Sequence, residues 1–300
     1  MFFFKKNKLP KIFISIFPKA KGGGANTFAW NFISWLKKNK NKFNYEKNIL
    51  KADNAIIIAN KIDIDLLKKS KENGCFIIHR LDEHFEENED EYRKTKHSEI
   101  IKINKLADVT VYQSNFVFEN VHPYLKPDKY KIVINGALKE IFHPAKNPGE
   151  YIGHVSWGIG EKKRYDILYK FIECNPDFQF LLVGNHNKSG FNFGQLKNTK
   201  LISAVKRNQI VKYYHKMKIL YFPSENDPCP NTVVEAILSG VPVCYNEIGG
   251  TREIVKDCGA SLSHFTELID SYSKYRENCF HRNDLFFENV ANQYVALFSM

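Results

Sequence analysis

The sequence lacks any apolar run of the roughly 18 residues that a membrane-spanning helix requires. It lacks a secretion signal as well, because the apolar Met1–Phe4 is followed directly by Lys5 and Lys6, whereas a signal has its basic residues first. Its six cysteines form no CxxC pair, so we expect reduced thiols in a cytoplasmic protein. No motif typical of DNA- or RNA-binding proteins is present, and we expect no nucleic-acid partner.

The first half of the chain has too few acidic residues to balance its basic ones. Residues 1–150 carry 27 Lys and Arg against 18 Asp and Glu, while the second half carries 17 against 15, so most of the net charge of +11 lies in the first half. Such an excess favours an anionic partner, either a phosphate-bearing acceptor or an acidic membrane surface. The alternative is a solvated lysine-rich surface with no partner.

A chain of 300 residues is long enough for two domains, and 43% hydrophobic residues supply their cores. Short apolar, β-branched runs alternate with helical stretches, a pattern that predicts parallel α/β sheets. The predicted strands are 11–17, 55–59, 76–79, 109–113, 131–135, 151–157, 178–183, 218–222 and 241–245, and the predicted helices of the first half are 26–38, 65–71 and 92–106. The Pro- and Gly-rich segment 141–149 separates domains at 1–145 and 146–300. The last helix, at about 284–300, is a candidate to pack back on the first domain.

The most informative segment is residues 223–243, where a strand ends, a polar loop follows and a helix begins near Asn231 or Thr232. A helix N-terminus at the carboxyl end of a parallel strand can hold a diphosphate through its free N–H groups and its dipole. Asp227 and Glu235 place two carboxylates beside it, which can accept hydrogen bonds from sugar and ribose hydroxyls. Alternatively, Thr232 and Glu235 form a capping box that serves only the helix.

Three weaker loops accompany this segment. Gly249-Gly250 follows a strand and allows a tight turn and close approach to a ligand. The turn at 21–25, which includes Gly22, Gly23 and Gly24, resembles a phosphate-binding loop but lacks the GxGxxG and Walker spacings. The loop at 158–164 carries Lys163 and Arg164, which are placed to neutralise a diphosphate.

Together these segments resemble the retaining glycosyltransferases of the GT-B type, the large group 1 family that includes sucrose synthases and many bacterial polysaccharide enzymes. The pattern of an acidic residue, seven intervening residues and a Glu is matched by Asp227 and Glu235, and is followed by Gly-Val-Pro-Val at 240–243 and by Gly249-Gly-x-x-Glu253. The resemblance implies two Rossmann-like domains that face a central cleft.

The resemblance also implies roles for individual residues. Lys163, with Arg164 beside it, would hold the donor diphosphate, together with backbone amides near Asn231 and Thr232. Glu235 would bind the ribose and Asp227 would face the transferred sugar. The glycine turn, with Gly23 and Gly24, would line the donor site.

The sequence departs from the family at two positions. Trp157 stands where an Arg often precedes the loop lysine, and Asp227 replaces the more common Glu. In many relatives a His of the N-terminal domain lies near the sugar. His79 and Asp82, at the end of one strand, are the two candidates for that place.

Two further features favour ordinary structure. Asp63-Ile-Asp65 resembles a metal-binding DxD, but Asp65 is more simply a helix N-cap, and we expect no metal site. Phe28, Phe32, Trp35 and Leu36 have the spacing of a buried helix face. Trp30 lies off that face, which leaves a membrane-surface helix as an alternative.

The resemblance therefore predicts a metal-independent transferase that acts with retention of configuration. Its donor would be a UDP-, GDP- or ADP-sugar, which serves as a co-substrate and not as a tightly bound cofactor, and its acceptor a saccharide or a lipid-linked saccharide. We expect a cytoplasmic location, with peripheral contact to an acidic membrane as an open alternative. The rival hypotheses are a catalytically inactive nucleotide-sugar-binding protein and a GT-B-fold epimerase.

Overall fold

A computed structural model describes residues 9–299 of the chain, except 20–21, 84 and 86–89. Met1–Phe4 and Lys21, discussed above, lie outside the described residues. The structure contains two six-stranded sheets, and all of their strand pairs are parallel. The first sheet has the order β2-β1-β3-β4-β5-β6 and consists of β1 (Lys11–Ile14), β2 (Asn44–Glu46), β3 (Asn54–Ile58), β4 (Phe76–Leu81), β5 (Val109–Tyr112) and β6 (Tyr130–Ile132).

The second sheet has the order β12-β11-β10-β7-β8-β9. Its strands are β7 (Tyr151–Ser156), β8 (Phe180–Gly184), β9 (Thr199–Ile202), β10 (Met217–Phe222), β11 (Val243–Tyr245) and β12 (Gly259–Ser261). The α-helices of the described chain are α1 (Gly24–Lys38), α2 (Ile64–Glu72), α3 (Glu91–Asn104), α4 (Asn115–Leu125), α5 (Tyr165–Glu173), α6 (Val211–Tyr214), α7 (Asn231–Leu238), α8 (Thr251–Val255), α9 (Phe265–Asp270), α10 (Tyr272–Phe280) and α11 (Phe287–Leu297). No helix in this part of the chain is both long enough and apolar enough to cross a membrane.

The central strands are buried on both faces, which explains their nearly continuous apolar runs. In β3, Ile56 and Ile58 belong to one core cluster, while Ala55 and Ile57 belong to the cluster on the other face. This alternation follows from the two-residue period of a strand. The parallel α/β architecture expected from the sequence is therefore confirmed.

The sequence did not predict the edge strands β2, β9 and β12, which contain only three or four residues each. It also did not predict α4, whose helical pattern is interrupted by Pro123. The expected N-cap of α2 was wrong by two residues. Asp63 caps the helix, because its Oδ1 accepts hydrogen bonds from the backbone N–H groups of Asp65 and Leu66 at 3.1 and 2.8 Å.

The chain passes between the two sheets twice, once after β6 and again before α11. After the second passage α11 packs on α1, where Tyr294 and Phe287 contact Phe28 and Phe32. The two passages are hydrogen-bonded to each other: Ala137 N donates to Leu285 O at 3.0 Å and Phe287 N donates to Ala137 O at 2.9 Å.

The aromatic face of α1 is thus core. Phe28, Phe32, Trp35 and Leu36 are all buried. Trp30 is half-buried, and the Arg207 guanidinium lies 5.5 Å from its ring centroid. The residue that suggested a membrane-surface helix is therefore in contact with the second half of the chain.

Candidate active site

A cleft of about 350 Å³ lies between the two sheets, where loops at the carboxyl ends of strands in both sheets meet. This is the edge at which parallel α/β sheets bind ligands. Its described lining consists of Gly22, Gly23, Gly24 and Thr27 from the first half, and of Val155, Ser156, Trp157, Gly158, Lys163, Val183, Gly184, Ala204, Val205, Arg207, Ile210, Asp227, Cys229, Pro230, Asn231, Thr232 and Glu235 from the second.

Two helices begin at this cleft, one from each half of the chain. The first turns of α1 and α7 carry no side-chain cap, and their preceding residues are Gly23 and Pro230. The two helix starts are in contact, because Asn231 Nδ2 donates to Gly24 O at 3.4 Å. Uncapped N–H groups and two helix dipoles make this region favourable for an anion.

Lys163 and Asp227 form an ion pair inside the cleft, with Nζ 2.8 Å from Oδ2. The lysine is the last residue of a short turn, and Tyr165 holds the loop before that turn, because its hydroxyl donates to Gly158 O at 2.8 Å. The two side chains are 27% and 17% exposed, so a ligand in the cleft can reach both. The pair places a cation and an anion side by side near the start of α7.

The loop that carries Asp227 is fixed by the glycine pair. Asn226 N donates to Ile248 O at 2.8 Å, and Gly250 N donates to Asp227 O at 3.0 Å. A Cβ atom at Gly250 would lie 2.1 Å from Pro228 O, so no other residue fits without a shift of the backbone. The two glycines thus allow a close approach between their own turn and the loop that carries Asp227.

Glu235 lies one turn into α7 and is 6% exposed. Its Oε2 accepts a hydrogen bond from the Tyr214 hydroxyl at 3.0 Å, and its Oε1 lies 3.7 Å from Arg207 Nη1. Burial raises the pKa of Glu235 to about 7, although Arg207 and the Tyr214 hydroxyl act to lower it. The capping-box alternative was wrong, because the helix begins at Asn231 and the Glu235 side chain points to Tyr214 and Arg207.

Residues 139–274 match the family model described as "Glycosyl transferases group 1". The matched segment is similar to the group 1 glycosyltransferases and covers less than half of the chain. Among curated proteins, the O-antigen biosynthesis glycosyltransferase WbnH and the probable O-antigen biosynthesis glycosyltransferase WbiN, both of Escherichia coli, are each 22% identical over 147 residues. The matched region spans 45% of this chain and 43% of either relative, which is less than half of their length.

Solved structures resemble this chain over nearly its whole length. Sucrose-phosphate synthase from Thermosynechococcus elongatus has a TM-score of 0.76 at 12% identity, with 97% of this chain and 98% of that chain covered. HepE of Anabaena, solved in complex with UDP and glucose, has a TM-score of 0.75 at 13% identity, with 97% and 100% covered. These similarities establish the fold, which is GT-B as expected from the sequence.

The group 1 segment supplies most of the residues that the sequence singled out. Lys163, Asp227, Asn231, Thr232 and Glu235 all line the cleft. Gly23 and Gly24 lie on its opposite wall. The cleft therefore brings together residues up to 213 positions apart in the sequence.

Arg164 does not line the cleft. Its guanidinium donates to Asp166 at 3.0 and 2.8 Å and to Glu225 at 2.8 Å, which directs it away from Lys163. Both carboxylates raise the pKa of Arg164. Trp157, which stands where relatives often have an Arg, does line the cleft and is 44% exposed.

His79 and Asp82 are not brought to the cleft. His79 is fully buried in β4: Nε2 lies 2.9 Å from Ala59 O, and Nδ1 lies 2.9 Å from Asn104 Nδ2. Burial lowers the pKa of His79 to about 4, so this imidazole is neutral at pH 7. Asp82 Oδ2 lies 3.3 Å from Arg80 Nη1, and Arg80 Nη2 donates to Asn135 Oδ1 at 2.8 Å. Both side chains have structural partners.

Arg207 is the cleft residue that sequence reasoning missed. It follows β9, an unpredicted edge strand, and its partners Glu235 and Thr27 are 28 and 180 positions away. The only signal in the sequence was a basic pair, Lys206-Arg207, after a strand end. Within the described residues no group of three or more His, Cys, Asp or Glu side chains is arranged to hold a metal ion, and this includes the Asp63-Ile-Asp65 segment.

Proposed function

We propose that the protein is a retaining glycosyltransferase that moves a sugar from a nucleotide-sugar donor to a saccharide or lipid-linked acceptor without a bound metal. The donor is a UDP-, GDP- or ADP-sugar and acts as a co-substrate. Residues 146–300 form the donor domain, and residues 1–145 form the acceptor domain, with α11 returning to the latter.

The observation that carries this proposal is the arrangement around the start of α7. A lysine, a carboxylate paired with it, and a second, buried carboxylate line the same cleft as an uncapped helix N-terminus. A nucleoside diphosphate sugar requires groups of these types: positive charge for the diphosphate, and hydrogen-bond acceptors for the ribose and the sugar.

Each group then has a distinct role. The first-turn N–H groups at Asn231 and Thr232 bind the diphosphate, and Glu235 accepts hydrogen bonds from the ribose. Lys163 exchanges Asp227 for the diphosphate when the donor binds, and it stabilises the negative charge that grows as the bond to the sugar breaks. Asp227, released from the lysine, orients the sugar hydroxyls and offsets positive charge on the ring.

The acceptor hydroxyl enters from the side of the first domain, past Gly23 and Gly24. Retention requires that the new bond form on the face of the sugar from which the diphosphate departs. Closure of the two domains around the donor would exclude water from this region, which would limit hydrolysis of the donor.

The similar proteins support the class of substrate. The two Escherichia coli relatives are named as O-antigen biosynthesis enzymes, which favours a saccharide or lipid-linked acceptor. HepE has been solved with UDP-glucose, which favours a UDP-sugar among the three donor classes.

A cytoplasmic location with peripheral membrane contact is consistent with this acceptor class. Four exposed lysines follow the buried face of α1 and can face an acidic lipid surface. We name them the lysine cluster: Lys37, Lys38, Lys40 and Lys42.

The test is a donor screen followed by product analysis. Thermal shifts with UDP-glucose, UDP-N-acetylglucosamine, GDP-mannose and ADP-glucose identify the donor, since a ligand bound only by the native state raises the Tm. Release of nucleoside diphosphate, with and without saccharide acceptors, then measures turnover, and NMR of the anomeric proton gives the configuration. Donor binding without release in any acceptor mixture would instead indicate a binding protein, and an altered free sugar would indicate an epimerase.

A further inference from the structure

Arg207 occupies a position between the two walls of the cleft. Its side chain is 10% exposed, and its guanidinium carbon lies 5.5 Å from the Trp30 ring centroid. One terminal nitrogen lies 3.7 Å from Glu235 Oε1, and the other donates to Thr27 Oγ1 at 2.7 Å. A single guanidinium thus contacts the buried carboxylate of one domain and the first helix of the other.

The contact with Thr27 continues into the glycine turn. Thr27 Oγ1 donates to Gly23 O at 3.1 Å, and Gly23 precedes α1 at the cleft. The chain of contacts therefore runs from Glu235 through Arg207 and Thr27 to Gly23. All four residues line the cleft.

We infer that Arg207 is a positioning residue of the donor site: it holds the Glu235 carboxylate in place for the donor and ties it to the glycine turn on the opposite wall. This inference rests on the proposed function, because it assigns donor binding to Glu235. A planar guanidinium suits the task, since its two terminal nitrogens can serve two partners in fixed directions.

The electrostatics of the pocket agree with this geometry. The groups that face the Glu235 side chain are Arg207 and, from α6, the Tyr214 hydroxyl, while Lys163 and Asp227 lie elsewhere in the same cleft. Burial raises the pKa of the Glu235 carboxyl to about 7, and of the two groups that act to lower it Arg207 has the larger effect. Ribose hydroxyls donate most strongly to the ionised form, so donor affinity depends on Arg207 at neutral pH.

The first experiment measures the pKa of Glu235 in the protein without ligand, by ¹³C NMR of the glutamate carboxyls, with Glu235→Gln assigning the signal. We expect Arg207→Met to raise this pKa by about one unit or more, since an opposite charge within 4–6 Å shifts a carboxyl by that amount. Arg207→Lys keeps the charge and should leave the pKa near the wild-type value. An unchanged pKa in Arg207→Met overturns the inference, whatever the protein binds.

The second experiment measures the Kd of the donor identified by the screen, by calorimetry from pH 5.5 to 9. Wild type should bind more weakly below about pH 7. Arg207→Met should raise the Kd about tenfold at pH 7.5 and move the midpoint to higher pH, while Arg207→Lys keeps the wild-type midpoint. Arg276→Met is the matched control, because Arg276 also lies over a ring and donates to one carbonyl, but outside the cleft.

Thr27→Val tests the link to the opposite wall. It should raise the Kd about threefold in wild type and add nothing in Arg207→Met, because neighbours in one network are not additive. Weaker binding in Arg207→Met with an unmoved midpoint would show direct contact with the donor and overturn the positioning role. If the wild-type protein binds none of the four donors, the proposed function itself is contradicted. This result is distinct from an unchanged pKa or an unmoved midpoint in Arg207→Met, which would overturn only the role of Arg207.

Discussion

Replacing Lys163 with alanine removes the ammonium group that pairs with Asp227 in the cleft. In the proposed reaction this group stabilises charge that develops on the leaving diphosphate. Removal of one such preorganised group costs about 10²–10³ in turnover, or roughly 3–4 kcal/mol in the barrier. Because the lysine side chain is 27% exposed, water screens part of its field, and we expect the lower end, about 10².

The assay is release of nucleoside diphosphate at saturating donor, together with the donor Kd from calorimetry. The Kd should rise by less than tenfold, since only the growth of charge in the transition state needs the full interaction. Lys170→Ala is the control, because Lys170 is an exposed residue of the neighbouring α5 and lies outside the cleft. Turnover of Lys163→Ala within threefold of wild type would refute the reasoning and leave the lysine as a partner of Asp227 only.

Four further predictions follow from other contacts. Asp227→Asn should lower turnover about 10-fold or more in the release assay. Nucleoside diphosphate should bind at least as tightly as to wild type, because the amide no longer competes for Lys163. Weaker binding of the diphosphate would contradict this expectation. Glu235→Gln should weaken donor binding and yet raise the Tm by a few degrees at pH 8. The folded protein has a Glu235 pKa of about 7, raised from 4.5, so ionisation of this group lowers the free energy of unfolding by on the order of 3 kcal/mol above pH 7. The gain should vanish as the pH falls towards 4, and scanning calorimetry at both pH values measures it. Glu253→Ala should lower stability by about 1 kcal/mol in urea unfolding, because its carboxylate accepts three hydrogen bonds at the start of α4, two of them from backbone N–H groups. Changing the lysine cluster to serine should reduce flotation with anionic liposomes or raise the acceptor KM, with the donor Kd unchanged. If the variant behaves like wild type in both assays, these lysines are a solvated surface without a partner.

The buried parts of both sheets were predictable from the sequence because burial on two faces demands consecutive β-branched and apolar residues, as in β3 and β10. The edge strands β2 and β9 were not, since they are only three and four residues long and partly exposed. The N-cap of α2 could not be predicted from residue type alone, because Asp63 and Asp65 have the same capping chemistry. The extended backbone at Asp63 is what makes this residue the cap.

At the site, the sequence predicted which second-half residues would meet, because one strand, loop and helix bring Asp227 and Glu235 together. It did not predict the partner of each charge. Arg164 was expected at the diphosphate, but Asp166 and Glu225 hold it elsewhere. Arg207 was overlooked because its partners come from distant parts of the chain, and no local spacing reports such a contact.

The paired passages between the sheets limit how the cleft can open. A single connecting segment would allow the two halves of the chain to rotate about it. Two segments joined by backbone hydrogen bonds resist this rotation. Close packing reinforces the joint, since a Cβ atom at Gly136 would lie 2.7 Å from Leu285 O. Bending across this joint remains the easy motion. We therefore expect an open state to explore few orientations, so that closure would return the α1 and α7 helix starts to the same alignment.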